Sequence, residues 1–350
     1  MTQPPIYWGE TGFQALSAQL LQAQYSLLFV LVDSNTNTHC LWPFLSQLET
    51  EIPIEIIEID PGESEKNLMT CHELWKVLLE HGGDRRSALL NLGGGVITDL
   101  GGMVAALFKR GIDFYHIPTT LLAMADAAHG GKTGVDLSGH KNQVGLMAFP
   151  KGILIAPALL DTLPPRQWRC GLAEMLKHGL IANAQHWNTL KDVTQLDVSD
   201  MEGLIRDTVA IKWELVQQDL YEVGVRKHLN FGHTAGHALE SWWLEQSPED
   251  PILHGEAVAA GLVIESHLSM QLGLLDRAAY YEIKYIVGSY FDPLPFAAVQ
   301  IPEILAWTQS DKKNSHGQRG CTLLQGIGQA TFVSEVTDAA FIKAFEAYLE

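Results

Sequence analysis

Residues 27–32, Leu-Leu-Phe-Val-Leu-Val, form an unbroken apolar run that stops at Asp33-Ser34-Asn35. A short run of this kind predicts a strand covered on both faces, because a strand with one wet face alternates apolar and polar positions. Residues 11–24 before it have helical spacing, and the pattern then alternates: helix at 40–49, strand at 54–59, helix at 65–81, strand at 88–92, helix at 96–109 and strand at 113–117, closed by Pro118. Strands separated by helices predict an α/β unit with a parallel sheet, assigned here to residues 1–160. After Leu163-Pro164-Pro165 the period changes, and helical segments at 167–181, 201–218, 233–245 and 255–272 predict a mostly α-helical domain over 161–350. The polar stretch 309–320 is predicted to be a long loop.

A chain of 350 residues with 47% hydrophobic content can bury a large core, which excludes a disordered or fibrous protein. The formal charge of -18, from 41 acidic against 23 basic side chains, opposes nucleic-acid binding, which needs lysines and arginines to displace counterions. Small anions remain admissible wherever the few basic residues converge. Cys40, Cys71, Cys170 and Cys321 are widely spaced and form no Cys-x-x-Cys pair, so neither a disulfide framework nor a thiolate zinc site is expected. Residues 1–10 lack a signal-peptide pattern, and no apolar run reaches the roughly 18–20 residues that span a bilayer. A soluble, cytoplasmic protein with no nucleic-acid or membrane partner is expected.

Candidate chemistry begins at Asn91-Leu92-Gly93-Gly94-Gly95, which leaves a strand and opens a helix bearing Asp99. Bare amides at a helix N-terminus bind phosphate, although three glycines also suit a tight turn with no ligand. The pattern is not the G-x-G-x-x-G fingerprint. Pro118-Thr119-Thr120 supplies hydroxyls at a second strand end. His233 and His237, four apart, share a helical face, which serves a metal or merely a polar surface. His254 precedes a helix, and Glu174 shares a helix with Lys177 and His178. One glutamate and two histidines suit a catalytic zinc with an open position, while Glu174 with Lys177 also reads as an ordinary helical ion pair. Lys132 and Lys141 stand in glycine-containing turns, and with Lys177, Lys212, Arg226 and Lys312 they offer an anion site in an acidic chain.

Together these motifs resemble the 3-dehydroquinate synthase family over most of the chain. The resemblance is carried by Pro61-Gly62-Glu63 with Lys66, Gly93-Gly94-Gly95 with Asp99, Arg110-Gly111, Pro118-Thr119-Thr120, and Asp126 before Gly130-Gly131-Lys132-Thr133-Gly134. It continues through Lys141-Asn142, Gly171-Leu172-Ala173-Glu174 with Lys177, Leu229-Asn230-Phe231-Gly232-His233 through His237, Leu253-His254-Gly255-Glu256, and Asp311-Lys312-Lys313.

The resemblance implies a Rossmann-like parallel-sheet domain followed by a helical domain. It implies zinc, with cobalt as a substitute, on Glu174, His233 and His254, leaving His237 for proton transfer. It implies NAD against Asp33, Asn35, Glu63, Lys66, Gly94, Gly95, Asp99, Thr119, Thr120, Lys132 and Lys141. An anionic sugar-acid phosphate, 3-deoxy-D-arabino-heptulosonate 7-phosphate, would lie among Asp126, Lys132, Asn142, Lys177, Lys212, Arg226, Asn230 and Lys312, with Arg110 reaching it across a homodimer interface. The implied reaction is transient oxidation, β-elimination of phosphate, re-reduction and aldol closure to 3-dehydroquinate. A related cyclase with another product, a metal-dependent polyol dehydrogenase and a non-catalytic nucleotide-binding regulator are the competing readings. Ala127-Ala128-His129 departs from the family pattern of a small hydroxyl residue and an apolar residue before the glycines.

Overall fold

The apolar run is strand β2 (Leu28–Asp33), and Leu28 through Val32 are fully buried because helices cover both faces of its sheet. The computed structural model describes residues 3–137, 140–191, 198–247, 249–308 and 320–350. They divide into two units, Met1–Pro164 with Leu196–Arg206, and Pro165–Gln195 with Asp207–Glu350.

In the first unit β2 is joined by β1 (Ile6–Trp8), β3 (Ile54–Ile59), β4 (Ala88–Gly93), β5 (Asp113–Pro118) and β8 (Gly152–Ile155). The order is β1-β8-β5-β4-β2-β3, with every neighbouring pair parallel. Strand β2 pairs with both β3 and β4, so the chain reverses its direction of travel across the sheet between them. Such a reversal opens a crevice at the carboxyl ends of the two central strands, where α/β proteins place ligands. Asp33 and Gly93 end those strands. The helices Leu68–Glu80 and Gly95–Leu107 pack Leu74, Leu78, Leu100 and Val104 against Phe29, Leu31 and Leu89 of the sheet.

Three features differ from the sequence expectation. The segment predicted as helix 40–49 starts earlier, directly after β2, as short turns over Ser34–Thr36, Asn37–Leu41 and Trp42–Leu45. Asp33 initiates it: its Oδ1 accepts the Thr36 N–H at 2.8 Å, and Thr36 Oγ1 accepts the Asp33 N–H at 2.9 Å. Strands β1 and β8 are too short to show a period. Lys132 and Lys141 stand in strands rather than turns, in an antiparallel hairpin of β6 (Lys132–Leu137) and β7 (His140–Met147). The glycines misled the reading because Gly134 and Gly145 face each other across this hairpin, where a Cβ on Gly134 would stand 2.7 Å from the Val144 carbonyl oxygen.

The second unit is mostly helical, as expected, with a hairpin of β9 (Cys321–Gly326) and β10 (Gln329–Val333) that the sequence did not suggest. The His254–Gln271 helix is buried on almost every side, the mark of a helix at the centre of a unit. Leu239, Trp242, Ile264, Leu268, Leu323, Phe341 and Phe345 form the core around it. Of the loop predicted at 309–320, all but Gly320 lies outside the described residues. No helix among the described residues is long and apolar enough to cross a membrane.

Candidate active site

In the first unit, Asp33 and Asn35, Glu63 and Lys66, Gly94 and Gly95, and Thr119 and Thr120 lie at or just beyond the carboxyl ends of β2, β3, β4 and β5, with Asp99 in the helix after β4 and Lys132 and Lys141 in the hairpin of β6 and β7. Gly94 caps the Gly95–Leu107 helix with no side-chain bond to it, so the first-turn amides are offered to a ligand instead. Gly101 cannot carry a side chain, since a Cβ would overlap the Asn91 carboxamide on β4, and the helix therefore lies hard against the strand. Thr119 donates its N–H to the Gly93 carbonyl at 3.0 Å, holding the second strand end beside the glycine turn. Thr120 borders the turn too, its Cγ2 standing 3.1 Å from where a Cβ on Gly94 would lie. A bare, glycine-lined helix start fits a pyrophosphate.

Lys66 is buried and places Nζ 2.7 Å from Asp99 Oδ2 and 2.7 Å from Asn142 Oδ1. Burial alone would lower its pKa, and Asp99 with Glu63 outweighs it, holding the ammonium above its ordinary range. Lys141 Nζ stands 3.2 Å from Glu63 Oε1. Asp136, which the sequence reading did not single out, accepts the Asn142 N–H at 2.7 Å, where Asn142 adopts φ 53, and donates its own N–H to the Lys66 carbonyl at 2.8 Å. Asp33 is half-buried and Asn35 exposed at the end of β2; Asp126 is half-buried in the Ala123–Ala127 turn, and Lys132 is exposed. Arg110 is exposed at φ 71 in a tight reversal completed by Gly111.

In the second unit, Glu174 of the Pro165–Ala182 helix meets His233 and His254, which begin the His233–Gln246 and His254–Gln271 helices. One donor atom from each lies within 4.8 Å of the others. Glu174 Oε1 is 3.3 Å from His233 Nε2 and 3.2 Å from His254 Nε2. Tetrahedral ligands about 2.0–2.1 Å from zinc stand about 3.3 Å from one another, so these separations suit one ion. The outer nitrogens agree: His233 Nδ1 donates to the Phe231 carbonyl at 3.1 Å, and His254 Nδ1 lies 3.4 Å from Glu240 Oε2. With its proton on Nδ1, His233 turns an Nε2 lone pair toward a carboxylate oxygen, and two such acceptors call for a cation between them.

The buried charges compensate one another. Burial would raise Glu174, but Lys177, His233 and His254 hold it well below the carboxylate range. Burial would lower His254, but Glu240 and Glu174 push it up to about 9. His233 is lowered, chiefly by burial. Lys177 pairs with Glu174 Oε2, so the helical ion pair and the imidazole contacts coexist on one carboxylate. The His237 ring lies 5.1 Å from that of His233 and 5.8 Å from that of His254. His237, Glu240 and His254 also form a group within 4.8 Å. Positions 233, 237 and 240 follow one helical face, and that spacing could have revealed Glu240.

Lys212 and Arg226 are buried in the same unit. Arg226 donates through Nη1 to the Leu220 carbonyl at 2.6 Å, and Asn230 donates to Glu222. Asp219, another residue the sequence reading missed, gathers the N–H groups of Val223 at 3.0 Å, Gly224 at 2.6 Å and Arg226 at 3.1 Å. Lys312 lies outside the described residues.

A parallel sheet with a glycine turn at its reversal point, in a chain whose helical unit gathers a carboxylate and two imidazoles, defines an α/β enzyme class with a candidate nucleotide turn and a candidate divalent-metal group. A solved 2-deoxy-scyllo-inosose synthase, complexed with carbaglucose-6-phosphate, NAD+ and Co2+, shares the fold at a TM-score of 0.86 and 23% identity, over 99% of each chain. The 2-epi-5-epi-valiolone synthase of Streptomyces hygroscopicus subsp. jinggangensis, with NAD+ and Zn2+ bound, matches at a TM-score of 0.83 and 27% identity, over 100% of this chain and 97% of its own. The 3-dehydroquinate synthase of Parabacteroides distasonis is 38% identical over 95% of this chain and 94% of its own length. Residues 56–170 match the 3-dehydroquinate synthase N-terminal family and residues 171–314 the C-terminal one, so the chain belongs to the 3-dehydroquinate synthase family.

Proposed function

We propose that the chain converts 3-deoxy-D-arabino-heptulosonate 7-phosphate to 3-dehydroquinate and phosphate, with NAD on the first unit and a divalent metal, zinc or cobalt, on the second. The observation that carries the reading is the meeting of Glu174, His233 and His254 within 4.8 Å in a member of this family. Glu174, His233 and His254 would hold the metal, while Gly94, Gly95, Asp99, Thr119, Thr120, Lys66, Asp33, Asn35, Glu63, Lys132 and Lys141 would hold the dinucleotide. When bound, NAD supplies a reversible hydride acceptor and the metal ion supplies Lewis acidity toward a substrate hydroxyl.

The chain's own residues do the rest. Lys177, Lys212 and Arg226 are buried cations that suit a substrate bearing both a carboxylate and a phosphate, and each strengthens as water is excluded. Lys132, Asn142, Asn230, Asp126 and Lys312 complete the set that orients the substrate. His237, beside the metal group but outside it, moves a proton. Loss of phosphate needs the proton on the neighbouring carbon to leave, and the substrate's own phosphate collects it. The final ring closure needs only that the two reacting ends be held together. The functional form is a cytoplasmic homodimer in which Arg110 reaches the partner's substrate.

The test is to supply the heptulosonate phosphate with NAD and Zn2+ and follow phosphate, product and nicotinamide absorbance together. Phosphate and 3-dehydroquinate should rise in equal amounts with no net NADH. Stoichiometric NADH would replace this reading with a polyol dehydrogenase. Phosphate release from a hexose phosphate, but not from the heptulosonate, would replace it with another cyclase.

A further inference from the structure

The carboxylate of Glu265 lies in the middle of the His254–Gln271 helix, fully buried, and belongs to none of the groups described above. Its Oε2 accepts the Gly232 N–H at 2.6 Å and its Oε1 the Ala235 N–H at 2.9 Å. These amides flank His233 at the start of the His233–Gln246 helix, where first-turn donors lack intrahelical partners and the positive end of the dipole favours an anion. No cap is available locally, because the capping position is Gly232 at φ 78. A Cβ there would stand 3.1 Å from the Leu262 nitrogen and 3.2 Å from the Val258 oxygen, and one on Gly261 would overlap the Gly232 carbonyl. The two helices therefore meet backbone to backbone, and the cap of one is supplied by the other.

One helix thus carries a metal-group histidine, His254, at its first residue and clamps the main chain on both sides of the second, His233. The His233 ring is tied to that main chain through Nδ1 and the Phe231 carbonyl at 3.1 Å. A shift of residues 232–235 is a shift of Nε2 away from its place 3.3 Å from Glu174 Oε1.

We infer that Glu265 is a positioning residue for the metal group: by holding the Gly232 and Ala235 amides it sets the His233 imidazole and raises the affinity for a divalent ion. The inference rests on the metal reading proposed above. It is tested by Zn2+ affinity from chelator competition, and by the absorption bands of the Co2+ form, for the wild type, Glu265→Gln, Glu265→Ala, Ile264→Ala and His254→Ala. Outer partners of metal ligands typically contribute ten- to a hundredfold in affinity, and a loss of about that size is expected for Glu265→Gln, with shifted Co2+ bands. Glu265→Gln decides if Glu265→Ala does not fold, since it keeps the shape and one carbonyl acceptor. Ile264→Ala, which removes neighbouring core contacts, should unfold at lower temperature with its metal affinity unchanged. Wild-type affinity and spectrum in folded Glu265→Gln, or equal weakening in Ile264→Ala, would overturn the inference. A wild type that takes up no stoichiometric ion, or a His254→Ala variant that keeps it, would instead overturn the metal reading and this inference with it.

Discussion

Lys177 stands one helical turn beyond Glu174 and pairs with its Oε2, leaving Oε1 to the two imidazoles. The lysine therefore neutralises a fully buried carboxylate without occupying the oxygen a metal would take. Lys177→Met should keep about one metal per chain while turnover falls on the order of a hundredfold or more, as when a preorganised charge-stabilising group is lost. Metal analysis beside steady-state kinetics checks this, and loss of metal would show that the lysine is needed to keep Glu174 in place.

Removing any member of the metal group should have the opposite signature. Glu174→Ala, His233→Ala and His254→Ala are each expected to leave the purified protein without stoichiometric Zn2+. His237→Ala should retain the metal and lose about 10²- to 10⁴-fold in turnover, the range for a displaced general acid or base. Equal metal loss in His237→Ala would place that residue among the ligands.

At the sheet, Lys66 ties Asp99 to Asn142 through two bonds of 2.7 Å. Lys66→Met removes this partner from both Asp99 and Asn142. NAD affinity, followed by nicotinamide fluorescence transfer or calorimetry, should fall about ten- to a hundredfold, on the basis of about 1.5–3 kcal/mol for a charge-assisted bond. Unchanged affinity would remove Lys66 from the cofactor site.

Asp219 gives a pH signature. Burial would raise its carboxyl, but the amides of Gly224, Val223 and Arg226 hold it below the usual carboxylate range. A depressed folded value stabilises the protein above the unfolded value of about 3.9 and is lost as pH falls through the folded one. Asp219→Asn should therefore cost about 1–3 kcal/mol at pH 7, and the gap from wild type should narrow below about pH 4. Denaturant titrations at both pH values decide it, and a gap that does not vary with pH would assign the loss to packing.

The parts of the site legible in the sequence are those written in local spacing. The glycine turn follows an apolar strand directly, and His233 and His237 stand four apart on one helix. Nothing in a linear pattern shows that Glu174, fifty-nine positions before His233, shares a point with it, and only the family resemblance joined them. Asp136, Asp219 and Glu265 were missed because each acts by accepting main-chain N–H groups, a role open to any acidic residue and set entirely by tertiary structure. The fold was legible wherever a strand was long and buried, as at 27–32. It was illegible where strands shrink to three or four residues, as in β1 and β8, or where glycines pack across a hairpin, as in β6 and β7.

Because all six strands of the large sheet run the same way, their carboxyl-end loops form one edge whose lettering can change while the layers beneath stay shut. Selection acting on a ligand of this first unit would find room at single positions such as Asn35, exposed after Asp33, and Thr120, half-buried after Pro118, whereas Phe29, Leu90 and Leu100 are locked in packing. Architecture and equipment can thus drift at different speeds within one polypeptide.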